Sequence, residues 1–321
     1  MRVFVTGATG FIGSAVVRSL VDAGHEVSSL VRSANAAASL EALGARACRG
    51  TIEDLPVLRR AAAAADGVIH TAFFHALSHA SLGTRVRIMF GGRPANIVAR
   101  FTTAAVGAER RAIDTFGGAL EARKGSLVIA FPTMAMAPGR PARETDAADL
   151  GTVGGLRAQS EQAALDLVAT GVRATVVRLP PSVHDETRLG LVTRLIEIAR
   201  KKRISAYPGD GNNRWAAVHR LDASLLFRRA LESGEAGARY HAVAEEGIPF
   251  RDIAEAIGRH LDVRVASLSA EDAARHFGWL APFVRADNPV SSQATRERLG
   301  WEPLHPQLMT DLIASLRDVR R

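Results

Sequence analysis

The most specific chemistry in the chain is carried by eight residues near its amino terminus, Thr6-Gly7-Ala8-Thr9-Gly10-Phe11-Ile12-Gly13, which lie between an alternating β-branched run and an apolar-periodic segment. In such a turn Gly7 permits the tight reversal, Gly10 lets the backbone approach a pyrophosphate, and Gly13 allows helix and strand to pack closely. Phosphates then sit at the positive end of the helix, where unpaired amides favour an anion. A dinucleotide site is the chemistry implied, with a purely structural glycine turn as the alternative. The end of the second strand decides which dinucleotide. An acidic residue there accepts from the ribose hydroxyls of NAD, but this chain has Leu30-Val31-Arg32-Ser33. A guanidinium and a hydroxyl suit a 2′-phosphate, so Arg32 and Ser33 predict NADP(H) over NAD(H). The alternative is a solvated surface arginine.

Histidines supply a second set of candidates. His75 and His79 follow the fourth expected strand and His184 the sixth, at the carboxyl ends where open α/β sheets bind ligands. Imidazole titrates in the range that proton transfer needs, although each ring can equally be structural. As metal ligands, His75 and His79 need further donors that the sequence does not mark, so no metal site is assigned.

These residues are positioned by an alternation of elements. Strands are expected over Met1–Thr6, His25–Val31, Ala45–Cys48, Gly67–Ala72, Ser126–Phe131 and Arg173–Leu179. Helices are expected over Phe11–Ala23, Leu40–Leu43, Leu55–Ala65, about Phe101–Ala122 and Leu156–Thr170. The pattern predicts an α/β fold, a Rossmann-type doubly wound parallel sheet over residues 1–178. After Leu179 it loosens into a smaller C-terminal α/β substrate domain, residues 179–321, ending in an amphipathic helix near Pro306–Leu316. Residues 214–233 are a candidate for packing back on the sheet. Phe73–Arg100 is long for a strand-to-helix connection, and such loops are usually functional or mobile.

Composition narrows the function classes. With 47% hydrophobic and 23% charged residues the chain reads as an ordinary globular protein rather than a disordered one. No apolar run approaches the roughly 20 residues that span a bilayer, and no signal peptide is read at the amino terminus, so a cytoplasmic protein without a membrane partner is expected. Cys48 is the single cysteine and excludes an internal disulfide. The net charge of +8 comes almost entirely from arginine, since Lys124, Lys201 and Lys202 are the only lysines. The basic residues are scattered, except at Arg200–Arg203 and the last few positions, without interleaved aromatic residues for stacking bases. No nucleic-acid partner is expected.

Five segments together resemble an extended or atypical short-chain dehydrogenase/reductase of the NAD-dependent epimerase/dehydratase superfamily: Thr6 to Gly13; Gly50-Thr51-Ile52-Glu53-Asp54; Val68-Ile69-His70-Thr71-Ala72; Arg178-Leu179-Pro180-Pro181-Ser182; and Arg214-Trp215-Ala216-Ala217-Val218-His219. They span Met1 to about Asp222. The resemblance implies that Gly7, Thr9, Gly10, Phe11, Ile12 and Gly13 hold the cofactor, that Asp54 contacts the adenine, and that Ala72 and Phe73 line the cofactor. It also implies that Pro180 to Val183 lie by the nicotinamide. An arginine near the position of Arg214 contacts the nucleotide phosphate in sugar-nucleotide members. Stacking on Trp215 or pairing with Asp222 is the alternative for it.

Such proteins typically use a tyrosine with a lysine four residues later, and a serine or threonine after the fifth strand. Here the tyrosines are Tyr207 and Tyr240, followed four residues on by Gly211 and Ala244. No tyrosine–lysine pair exists. By spacing, Arg157 stands in the tyrosine position and Glu161 in the lysine position. Arginine stays protonated, so Arg157 can stabilise an oxyanion but not donate the proton. Glu161 serves as an acid only where burial raises its pKa. The simpler expectation for both is a mutual i,i+4 ion pair. Thr133 matches the hydroxyl position and can orient a carbonyl; the alternative is a turn hydroxyl. Thr133, Arg157, Glu161, His75 and His184 are therefore the catalytic candidates.

The expected function is an NADP(H)-dependent oxidoreductase acting on a small carbonyl or activated alkene. A catalytically silent dinucleotide-binding sensor or scaffold is the alternative, and a sugar-nucleotide epimerase or dehydratase the third reading. A small-molecule substrate is the expected partner. The resemblance allows a homodimer through helices near Ala104–Leu120 and Leu156–Thr170.

Overall fold

The computed structural model describes residues 1–318, so the end of the basic C-terminal cluster lies outside the described residues. Through residue 179 strands and helices alternate: β1 (Arg2–Thr6), α1 (Phe11–Asp22), β2 (Glu26–Val31), α2 (Ala34–Glu41), β3 (Arg46–Arg49), α3 (Leu55–Ala63), β4 (Gly67–His70), α4 (Leu82–Phe90), α5 (Ile97–Leu120), β5 (Ser126–Pro132), α6 (Ala158–Asp166) and β6 (Arg173–Leu179). Shorter elements follow: β7 (Ser182–His184), α7 (Val192–Lys202), β8 (Ile204–Pro208), β9 (Arg214–His219), α8 (Arg220–Ser233), β10 (Arg239–His241), β11 (Glu245–Pro249), α9 (Phe250–Leu261), β12 (Arg264–Leu268), α10 (Ala270–Phe277), α11 (Ala281–Arg285), α12 (Gln293–Leu299) and α13 (Leu308–Asp318).

The chain forms two compact units. The first comprises Met1–Phe131, Leu156–Val177 and Ser224–Arg239. Most of a seven-stranded sheet of order β10-β6-β5-β4-β1-β2-β3 belongs to it, although Tyr240 and His241 of β10 count with the second unit, and β1 pairs in parallel with both β2 and β4. This is the doubly wound, Rossmann-type order expected. The inner strands read as unbroken apolar runs: Val3, Phe4 and Val5 of β1 and all of β4 are buried, as required of strands covered on both faces. Helix α1 buries Gly13, Val16, Val17 and Leu20 on one stripe. Thr6 lies opposite His70 in the register, so the carboxyl ends of β1 and β4 adjoin where the strand order reverses.

The second unit comprises Pro132–Gly155, Arg178–Ala223 and the chain from Tyr240 onward. It holds a three-stranded sheet, β11-β9-β7, and the pair β12-β8, around a core that includes Trp215, Phe250, Ile253, Phe277, Leu308 and Leu312. The chain passes between the units at 131/132, 155/156, 177/178, 223/224 and 239/240, rather than once. Pro132–Gly155 belongs to the second unit, and of residues 214–233 only those from Ser224 belong to the first.

Two local expectations change. Phe73–Arg100 is not one long loop, because α4 lies inside it and α5 begins at Ile97. Ser81 caps α4 by accepting from Thr84 N, and Thr84 and Ile88 bury one side of it, so a single inward turn replaces the broad stripe that marks a helix in sequence. Leu156–Thr170 is α6 with 3-10 turns at both ends, Gly155–Arg157 and Leu167–Thr170. Among the described residues, no helix is long and apolar enough to cross a membrane.

Candidate functional site

The glycine turn closes as its residue types require. Gly10 N–H donates to Gly7 O at 2.9 Å, and Gly7 adopts φ +78°, a left-handed conformation that side chains disfavour. A Cβ on Gly7 would meet Thr71 Oγ1 at 2.6 Å and Ala72 N at 2.8 Å, and one on Gly13 would run into Gly7 O. Helix α1 starts after Gly10 with no side-chain cap and no acidic residue in its first turn. An uncapped helix terminus behind a backbone cradle fits a dinucleotide pyrophosphate. Thr9 and Gly10 are exposed, and Phe11 and Ile12 half-buried.

Two hydrogen bonds tie this turn to the end of β4. Thr71 Oγ1 donates to Thr6 O at 2.8 Å, and Thr6 Oγ1 lies 2.6 Å from His70 Nδ1. Burial pulls His70 down to about 4, so the ring is neutral at pH 7. Its Nε2 is buried and has no hydrogen-bond partner.

The other predicted cofactor residues in this unit surround the same end of the sheet. Arg32 is exposed and makes no ion pair among the described residues. Ser33 is the N-cap of α2, accepting from Ala36 N at 3.2 Å. Asp54 closes its own turn, taking Thr51 N at 2.6 Å and Thr51 Oγ1 at 3.0 Å on Oδ2. Ala72 and Phe73 are half-buried beyond β4. His75 is exposed, with its ring 5.6 Å from that of Phe73. Its backbone N–H donates to His79 Nδ1 at 3.3 Å.

Arg157 reaches this region from the turn before α6. Its Nε donates to Glu109 Oε2 at 3.1 Å and its Nη2 to Ala130 O at 2.6 Å, while Nη2 also engages Glu109 Oε1. The guanidinium carbon lies 4.5 Å from the centre of the Phe73 ring and 5.8 Å from that of Phe131. Both Nη2 protons and the Nε proton are thereby used, while Nη1 has no hydrogen-bond partner among the described residues. The expected Arg157–Glu161 pair does not form. Arg157 sits at the end of the 3-10 turn before α6, and its guanidinium is taken by Glu109 and Ala130 O instead. Glu161 instead lies 3.4 Å from Arg239 Nε.

The remaining candidates lie in the second unit. Thr133 is fully buried; its hydroxyl donates to Asn288 Oδ1 at 2.7 Å, and Asn288 Nδ2 donates back to Thr133 O at 2.8 Å. Pro180 and Val183 are buried. Arg214 neither stacks on Trp215 nor pairs with Asp222. A fork of two hydrogen bonds, at 3.0 and 2.8 Å, closes it on Asp287.

His184 is wholly buried, with Nδ1 2.7 Å from Asp311 Oδ2, and burial lowers it to about 4. Beyond it Asp311 lies 3.9 Å from His219 Nε2. The His219 ring stacks on that of His305 at 4.8 Å and 8°, and His305 Nδ1 is 2.7 Å from Asp222 Oδ1. His219, Asp222 and His305 bring their donor atoms within 4.8 Å of one another. A metal lies in the plane of the imidazole that binds it, so two rings stacked face to face do not converge on one ion. The cluster is better read as a hydrogen-bonded network.

Sequence reasoning missed Glu109 and Asn288. Glu109 shares the buried stripe of α5 with Ala105, Ala112, Ile113 and Phe116. An acid on an apolar stripe is a legible signal, because a buried carboxylate needs a partner. Asn288 lies in an irregular segment and gives no comparable sign.

Comparison with known proteins agrees with this geometry. The model of the NAD dependent epimerase/dehydratase family matches residues 3–90. An uncharacterized protein of Schizosaccharomyces pombe is 44% identical, over 97% of this chain and 98% of its own. The 4-hydroxy-2-methyl-3-oxo-4-farnesyl-3,4-dihydroquinoline-1-oxide ketoreductase of Stigmatella aurantiaca is 28% identical, over 90% of this chain and 84% of its own. Among solved structures, the dTDP-glucose 4,6-dehydratase of Streptomyces venezuelae with NAD bound superposes with a TM-score of 0.73 at 19% identity, over 100% of this chain and 97% of that one. The glycine turn, the sheet order and the relatives lead to one conclusion: the chain belongs to the NAD dependent epimerase/dehydratase family.

Proposed function

We propose that this chain is an NADP(H)-dependent oxidoreductase that reduces a small carbonyl compound or an activated alkene. The observation that carries the reading is Arg157, held by Glu109 and Ala130 O against Phe73, with Nη1 still able to donate twice. Gly7, Gly10 and Gly13 would cradle the pyrophosphate, Arg32 the 2′-phosphate, and Asp54 the adenine side. When bound, the dinucleotide supplies a hydride. Arg157 Nη1 then donates to the substrate oxygen and stabilises the alkoxide or enolate as charge develops. It keeps its own proton, so the product is protonated from solvent. The ketoreductase relative supports reduction of a carbonyl. The closure of Arg214 on Asp287 speaks against its use on a sugar-nucleotide phosphate.

The test is NADPH consumption against a panel of ketones and enones, with NADH for comparison. Arg32→Ala should weaken NADP(H) about tenfold or more while leaving NAD(H) unchanged, as expected for loss of a charge-assisted phosphate contact. Arg157→Gln should lower kcat roughly 100-fold with little change in cofactor affinity. Tight NADPH binding without turnover on any member of the panel overturns the catalytic reading in favour of a silent sensor. Equal affinity for the two cofactors, unchanged in Arg32→Ala, removes the NADP(H) assignment.

A further inference from the structure

Helix α4 is turned inside out relative to an ordinary surface helix. It buries Thr84 and Ile88 and directs Leu82, Val86, Met89 and Phe90 outward, with Leu82 77% and Phe90 81% exposed. These positions are spaced i, i+4, i+7 and i+8, so they form one stripe. Val98, at the start of α5, adds a further apolar side chain at 72% exposure. An exposed apolar stripe such as that of Leu82, Val86, Met89 and Phe90 marks an interaction surface.

The charges around the stripe say what it meets. Between Asp66 and Glu109 the chain has no acidic residue and has Arg85, Arg87, Arg93 and Arg100. Arg85 and Arg100 fasten the segment by donating to Ala80 O and Ile88 O, each at 2.8 Å. The helix is held further by Glu53, which accepts from Ser81 N and Thr84 Oγ1, each at 2.5 Å. Arg93 is exposed and its guanidinium has no partner among the described residues.

A second copy of this chain is a poor occupant, since a two-fold contact sets a patch against itself and would bring arginines onto arginines, with the one carboxylate bonded to α4, Glu53, already engaged by Ser81 N and Thr84 Oγ1. A partner's apolar knob is also poorly served, because side chains this exposed stand out from the surface rather than lining a groove. A soft apolar layer beneath anionic headgroups matches both features.

We propose that the α4 stripe, with Val98 and the flanking arginines, docks the protein onto an anionic lipid surface. The expectation of no membrane partner rested on the lack of a spanning segment, and a helix lying in the interface needs none.

The test is co-sedimentation of the full chain with large vesicles of phosphatidylcholine, with and without phosphatidylglycerol. Binding is expected to the phosphatidylglycerol vesicles, to weaken with added salt, and to fall at least about tenfold in Leu82→Ser/Phe90→Ser, which leaves the charge unchanged. Arg93→Gln should weaken it about fivefold. Since these side chains are exposed, the variants' melting temperatures should match the wild type. Failure of the wild type to sediment, equal binding of Leu82→Ser/Phe90→Ser, or equal binding to the two vesicle types overturns the proposal. So does a dimer mass by light scattering that only Leu82→Ser/Phe90→Ser dissociates, with no vesicle binding.

Discussion

Replacing Glu109 by glutamine preserves its shape and removes the charge that Arg157 faces. The Glu109 side chain is 2% exposed and that of Arg157 18% exposed. At roughly 4 Å between charge centres and an effective dielectric of about 20, the attraction is of order 4 kcal/mol before desolvation is subtracted. Breaking a buried pair from one side costs about 3–5 kcal/mol, because the other charge stays behind unpaired. The guanidinium keeps Ala130 O at 2.6 Å and some access to water, so the lower end, about 3 kcal/mol, is expected for Glu109→Gln. The double variant Glu109→Gln/Arg157→Met leaves no stranded charge and should recover more than half of that loss. The assay is urea unfolding of the four members of the cycle at pH 7, compared by midpoint at unchanged slope. A loss below about 0.5 kcal/mol, or purely additive single losses, would show that Glu109 does not hold Arg157.

Stability should also respond to acid through His70, which burial lowers to about 4 against an ordinary value of 6.5. The unfolded chain binds the extra proton between those limits, so the contribution is complete above about pH 6.5 and lost as pH falls toward 4, at up to about 1.4 kcal/mol per pH unit. His70→Asn should make the urea midpoint fall less steeply between pH 7 and 5, with His184, also lowered to about 4, keeping part of the slope; an unchanged slope would refute this. Thr133→Ala strands Asn288 Oδ1 in a buried place and should cost about 1–3 kcal/mol, with Thr133→Ser restoring it. If Thr133→Ala instead keeps full stability and loses turnover, the hydroxyl works on substrate rather than on Asn288.

How much was legible in the chain follows from the range of the forces involved. The glycine turn and the strand–helix alternation are written locally, because φ preferences, two-residue and 3.6-residue periodicities and helix termini act over a few neighbours. The missing tyrosine–lysine pair is legible for the same reason, as a matter of composition. Partner choice was not. Arg157 was expected to pair four residues away and pairs 48 residues away with Glu109. The sequence leaves Arg214 a phosphate, Trp215 or Asp222 as its partner, and it closes on Asp287, while Thr133 meets Asn288 across 155 residues.

The sequence by itself thus determined a dinucleotide cradle on a doubly wound sheet and excluded the usual proton relay. Only the tertiary structure decided which charges are spent on each other, which face of α4 is left outward, and which N–H groups of Arg157 remain to donate. Those outcomes depend on which distant elements pack together, since a buried polar group takes whatever partner the packing brings within about 3 Å.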